Sequence, residues 1–139
     1  MPLHLIKLAV GVEDLKDLAA IQKQRRRERG RYAFFTRNMP KRVEELLDGG
    51  SIYWVVKGQI RARQRLKRFH QHADDAGRPY VIVEYQARIV PVRPRRMRPF
   101  QGWRYLEPGN APPDLVPGAK GDDTLPDALA DELRELGLL

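Results

Sequence analysis

The chain has 139 residues, 42% hydrophobic and 32% charged, with no cysteine and a formal net charge of +8. That is one domain's worth of chain with a globular rather than a disordered composition. It excludes disulfides, thiolate metal sites and cysteine nucleophiles, and no apolar run approaches the roughly 20 residues of a membrane-spanning helix.

The charge is unevenly placed. Residues 21–105 hold 22 bases against seven acids, a net +15, whereas residues 106–139 hold two bases against eight acids, a net −6. A basic body followed by an acidic tail points to a polyanion partner. Arginine outnumbers lysine, and arginine makes forked contacts with phosphate and stacks on bases. The opening MPLHLIKLAVGVEDL lacks a basic stretch ahead of its apolar one and lacks a small-residue cleavage site. It reads as a first strand rather than an export signal. A cytoplasmic protein without membrane attachment is expected.

In chain order, residues 3–10 are short and apolar and predict a buried strand. Glu13 and Asp14 open a helix with Leu15, Leu18 and Ile21 on one face, running to about Arg29 with Gly30 as its stop. Its last turns, KQRRRER, place bases at the C-terminal end, where the helix dipole favours them and where they are equally placed to meet a ligand. Residues 32–37 predict a second strand. Pro40 suits the first position of a short helix, PKRVEELL, closed by Asp48-Gly49-Gly50. SIYWVVKG reads as the strongest strand.

Residues 59–72 are ambiguous by pattern. Ile60, Ala62, Gln64 and Leu66 alternate with Arg61, Arg63, Arg65 and Lys67, as in a strand with one basic face; Ala62, Leu66 and Phe69 also fit a helical stripe. The strand is preferred. Asp74-Asp75-Ala76-Gly77 predicts a turn, and 79–92 a long strand interrupted at Pro91. RPRRMRP reads as a basic, proline-rich loop and FQGWRYL as a last short strand. From Glu107 the chain is Pro/Gly-rich, acidic and irregular. It ends in an amphipathic helix with Leu125, Leu129, Leu133 and Leu136 at helical spacing.

The expected architecture is a single α+β domain: a curved or pseudo-barrel mixed β-sheet, two N-terminal helices and a C-terminal amphipathic helix. Residues 1–106 form the basic domain, and residues 107–139 the acidic segment whose helix packs on it.

Several blocks carry a resemblance. Pro40-Lys41-Arg42, Glu45 to Ser51, Tyr53 to Gly58, Arg63-Gln64-Arg65, Pro99 to Leu106 and Ala111 to Leu115 are together similar to the signature blocks of an uncharacterised bacterial domain-of-unknown-function family. At the level of fold, a short helix ending in a glycine turn, then a strand, then a basic strand resembles PUA-like and ASCH-like domains. Those are small pseudo-barrels, many of which bind RNA or modified nucleobases. That resemblance implies the same class of function here.

The main candidate constellation is Arg61, Arg63, Arg65, Lys67 and Arg68 on one strand, the alternating bases sharing a face, with Arg93, Arg95, Arg96 and Arg98 in a loop that closes over the same ligand. Alternate strand positions lie ~7 Å apart, near the phosphate spacing of a single strand. Trp103 and Tyr105, flanking Arg104, share a face as a base-stacking platform requires, and one of Trp54 and Trp103 is expected in the core. Lys57 is placed at a strand end. Set against the carboxylates of 44–48, it suggests acid–base chemistry on a nucleotide as a rival reading, with a surface ion pair the plainer one. A further rival is an assembly protein docking on a ribonucleoprotein through the C-terminal helix. No phosphate loop, dinucleotide fingerprint or nucleophile elbow is present. His70 and His72 lack a third ligand in sequence, so neither a metal nor a cofactor is expected. The leading expectation is a nucleic-acid-binding module, RNA or single strand preferred.

Overall fold

The structure, a computed structural model, describes residues 2–115. The expected C-terminal helix and its acidic cover lie outside the described residues. Seven strands and two α-helices follow in the order β1 (His4–Leu8), α1 (Leu15–Arg29), β2 (Ala33–Thr36), α2 (Val43–Leu47), β3 (Ser51–Val56), β4 (Gln59–Ala73), β5 (Pro79–Tyr85), β6 (Val90–Arg96) and β7 (Trp103–Leu106). All strands join one mixed sheet in the order β2-β5-β4-β3-β1-β7, with β6 also paired to β4. β1 and β3 run parallel and the other pairs antiparallel. The domain is therefore α+β, as expected. The sheet is open: β2 and β7 end it, and it does not close into a barrel.

The 15-residue β4 is the spine. Its first half pairs with β3 on one side and β6 on the other, and its second half pairs with β5. The strand reading of 59–72 holds and the helical one fails, because alternation sends Ala62, Gln64 and Leu66 into the interior. Its connection to β3 is the two-residue turn Lys57-Gly58, with φ of 49° and 77°. Positive φ at both positions is the hairpin geometry that matches strand twist.

β3 is buried along its whole length, so its side chains feed two cores. Ile52, Trp54 and Val56 join Leu5, Leu15, Leu18, Phe34, Leu46, Val83 and Tyr85 on the face covered by the helices. Tyr53 and Val55 join Ile6, Ile60, Val92, Phe100 and Leu106 on the other face, against Met97 and Ala111. The helix α1 starts where expected, Asp14 accepting from the Asp17 N–H at 2.7 Å, and stops at Gly30 in the left-handed conformation.

Three expectations need correction. The segment 93–99 is not simply a loop: 90–96 forms β6, and the long strand expected over 79–92 is broken between Tyr85 and Val90. Pro91 and Pro94 cannot donate to a ladder. They are tolerated because the β4–β6 register is irregular between Ile60 and Ala62, and because residues 113–115 satisfy the outer edge. There Arg93 N–H donates to Pro113 C=O at 2.9 Å and Leu115 N–H to Pro91 C=O at 3.0 Å. The helix predicted from Pro40 is only Val43–Leu47, with Pro40 buried ahead of it.

Gly50 follows α2 and lies between two backbones. A Cβ there would stand 2.2 Å from Leu3 O and 2.3 Å from Leu46 O. At Gly58 no atom lies within 4 Å of such a Cβ, although φ is +77°. Gly50→Ala is therefore expected to destabilise by about 3 kcal/mol or more, through backbone overlap. Gly58→Ala should cost only ~1–2 kcal/mol, from its left-handed conformation. Urea unfolding of the two variants checks that ranking.

His4 is buried on β1, its Nδ1 accepting from the Ser51 N–H at 3.0 Å and its ring 4.9 Å from that of Tyr53 in an edge-on contact. Burial pushes the imidazole down to about 4, with Arg63 adding repulsion. An unfolded His4 takes up its proton near the ordinary value of 6.5. The neutral imidazole's contribution is thus present above pH 6.5 and declines as pH falls toward 4. The stability advantage of wild type over His4→Gln should shrink across that window, as thermal melts at successive pH values will show.

Candidate functional site

The arginines singled out from the sequence are exposed or half-buried but do not form one ladder. The β3–β4 register shifts between Trp54 and Val55, leaving Arg61 without a partner residue on β3. As a result Ile60 and Ala62 enter different cores. Arg63 is held by Asp114 through two hydrogen bonds of 2.7 Å, and its Nη1 donates to Ser51 Oγ at 3.0 Å. Arg65 is exposed beside Gly49. Arg95 and Arg96 pair with the start of β4, opposite Ile60 and Gln59. Arg95 donates to Asn110 C=O at 2.5 Å. Arg93 and Arg98 are exposed, and Arg98 lines a groove with Gly58, Arg96, Met97 and Pro99. Arg104 lies over the Phe100 ring at 4.7 Å.

Trp103 and Tyr105 do share a face, their rings 5.1 Å apart and edge-on. Both are partly buried against the helix-side core. The Trp103 indole donates to Asn38 C=O at 3.3 Å and the Tyr105 hydroxyl accepts from the Arg42 N–H at 3.1 Å. The loop after β2 thus crosses to the opposite end of the sheet. Lys57 forms an ion pair with Glu13 at the surface, and Glu45 pairs with Arg42. Lys57 and the 44–48 carboxylates are accordingly not brought together as an acid–base centre. Further along β4, Lys67, Arg68 and His70 all converge on Glu84.

A second cationic region lies on α1. Among the described residues Arg25, Arg26, Arg27 and Arg29 have no carboxylate within ion-pairing distance. Arg26 lies 6.0 Å from the Tyr32 ring centre and Arg29 4.6 Å from that of Phe35. Between α1 and the sheet lies a cavity of about 120 Å³ lined by Lys7, Val10, Val12, Leu18, Gln22, Arg25, Phe34, Trp54 and Tyr85, among others. Trp54 meets Phe34 and Tyr85 edge-on at 6.0 and 5.8 Å. Lys7 projects from β1 over Phe34 at 5.6 Å. Burial lowers its ammonium below the usual lysine value, and Arg25 adds repulsion.

The floor is organised by an amide pair. Gln64 Oε1 accepts from Trp54 Nε1 at 2.8 Å and from Gln22 Nε2 at 2.7 Å. Its Nε2 donates to Gln22 Oε1 at 2.8 Å and to the carbonyls of Gln86 and Ala87 at 3.1 and 3.3 Å. Trp54 is thus the core tryptophan. The sequence reading passed over Lys7, Gln22, Phe34 and Tyr85. The signal for two of them was a polar residue at an apolar position: Lys7 within LHLIKLAV, and Gln22 one turn beyond Leu18.

A family model described as "Protein of unknown function (DUF1489)" matches residues 5–139. The chain belongs to that family. Its searches against curated proteins and against solved structures return no match. Membership agrees with the resemblance in the signature blocks and assigns no activity. Among the described residues no helix is long and apolar enough to cross a membrane, and no three potential ligands cluster as for a metal.

Gln64→Leu is expected to leave the Trp54 indole, the Gln22 amide and two carbonyls without partners. A loss of about 2–4 kcal/mol follows, since each orphaned buried group costs ~1–3 kcal/mol and some relax. Denaturant titration followed by Trp54 fluorescence measures it.

Proposed function

We propose that this chain is a nucleic-acid-binding module that takes single-stranded RNA ahead of duplex DNA, in a cytoplasmic setting. The observation that carries the reading is the cluster Arg25, Arg26, Arg27 and Arg29, without carboxylate partners among the described residues and interleaved with the rings of Tyr32 and Phe35. Phosphate contacts supply salt-sensitive affinity, and aromatic faces accept unstacked bases. The resemblance to PUA-like domains belongs to the same proposal. The exposed arginines on and after β6, namely Arg93, Arg95, Arg96 and Arg98, are a second phosphate surface on this reading. Arg63 and Arg95 already serve the packing of residues 107–115, which favours α1 as the principal contact.

A salt titration separates the two surfaces. The triple variant Arg25→Gln, Arg26→Gln, Arg29→Gln should lower the log–log salt slope for a single-stranded RNA by about two units, at ~0.7 per lost contact. The triple variant Arg95→Gln, Arg96→Gln, Arg98→Gln should lower it less. A folded α1 variant with the wild-type slope removes the helix from the interface. Wild-type protein that binds heparin as tightly as RNA, with the same slope, contradicts the module reading.

A further inference from the structure

The cavity beneath α1 has features that the packing of a core does not require. Three buried aromatics from three different strands, Phe34, Trp54 and Tyr85, line it among aliphatic side chains. Exposed Val10 and Arg25 mark its rim. Its volume, about 120 Å³, is near that of the ~150 Å³ engineered cavity that admits benzene. It therefore suits one planar ring rather than two fused ones.

Its polar groups are incompletely used. Gln22 is 3% exposed, and its amide makes one donor and one acceptor bond, both to Gln64. A primary amide has two donor hydrogens and two acceptor lone pairs. One of each is left on a nearly buried side chain that lines the cavity. The Tyr85 hydroxyl also makes no hydrogen bond among the described residues. Beside these groups, Lys7 is half-buried with no carboxylate in range among the described residues, and Arg25, of like sign, lines the same cavity. Two cations lining one apolar pocket without a counter-ion among the described residues favour an anion between them.

We infer that this cavity is a nucleotide site: it takes a single pyrimidine ring of an unstacked strand against the rings of Phe34, Trp54 and Tyr85, meets one polar group of the ring with the Gln22 amide, and holds the attached phosphate with Lys7 and Arg25. Gln64 takes the convergent N–H and lone pair of the Gln22 amide, and those that remain point to opposite sides of it, so Gln22 meets one polar group of the ring and the cavity's size sets the preference for a pyrimidine. The inference rests on the single-strand reading above and gives that surface its base preference.

The test is an NMR titration of the full chain with CMP, UMP, AMP, cytidine and inorganic phosphate, followed by a salt titration with a pyrimidine-rich single-stranded RNA. CMP and UMP should shift the Trp54 indole N–H and the amides of Lys7, Val10 and Gln22, saturably and more tightly than AMP, cytidine or phosphate. Lys7→Met should weaken CMP about tenfold, the loss of one charge-assisted contact. Its melting temperature should stay level or rise, because the variant removes a half-buried charge that lacks a counter-ion. Ala9→Phe, which fills the cavity, should abolish the shifts in a folded protein. Inorganic phosphate binding as tightly as CMP would leave an anion site without base recognition, and AMP binding as tightly would remove the one-ring claim. If the RNA binds with normal salt dependence while no mononucleotide moves the pocket resonances, this inference falls and the module reading stands. If CMP binds and single-stranded RNA does not, the pocket stands and the module reading falls.

Discussion

The buried side-chain amide of Gln64 is the contact on which the helix-covered face depends. It takes four partners from three places: Gln22 on α1, Trp54 on β3, and two carbonyls between β5 and β6. Apolar packing is non-directional, so it does not by itself set how α1 is rotated over the sheet. A fully satisfied polar group does, because any other rotation orphans a donor or an acceptor in a low dielectric. The break between β5 and β6 has the same origin. Gln86 keeps one backbone bond to β4, its N–H donating to Arg65 C=O at 2.9 Å, and the carbonyls of residues 86 and 87 turn onto Gln64, so the interruption in the strand is where the amide is capped.

With α1 so placed, the sequence's arginines divide into two kinds. Those on the second face are structural. Arg63 is bidentate with Asp114 and Arg95 caps a carbonyl at Asn110, which fixes residues 107–115 along β6 and over the second core. A Pro/Gly-rich segment with few apolar residues needs such anchors, since it has little surface of its own to bury. At the end of α1, Arg29 donates weakly to Ala33 C=O at 3.5 Å, and among the described residues Arg25, Arg26, Arg27 and Arg29 have no carboxylate partner; the C-terminal end of a helix favours cations in any case. Charge density along the chain therefore does not separate an anchor from a contact surface. Ion-pair geometry does.

Much of the fold was legible because it follows local rules. Asp14 and Gly30 bracket α1; Lys57-Gly58 makes a two-residue hairpin; strict alternation marks β4 as a strand. Three features were not legible, each for a long-range reason. β6 carries two prolines, and only the arrival of residues 113–115 makes a strand there stable. The bulge at Arg61 sends Ile60 and Ala62 to opposite faces, which alternation cannot foresee. The cavity draws on Lys7, Gln22, Phe34, Trp54 and Tyr85, spread over 79 positions of sequence. What the sequence does carry is polar residues where packing calls for apolar ones: Gln22 lines the cavity, and Gln64 behind it holds Gln22 and Trp54 in place.

The central claim is that bases of a single strand reach the aromatic cavity beneath α1, not merely the charged exterior. Photo-cross-linking of the full chain to a single-stranded RNA carrying 4-thiouridine, with the attached residues identified by mass spectrometry, tests this most directly. Cross-links on Phe34, Trp54 or Tyr85, competed by excess CMP, are the expected result. Cross-links confined to β6 and residues 97–102, with none around the cavity, would contradict the account.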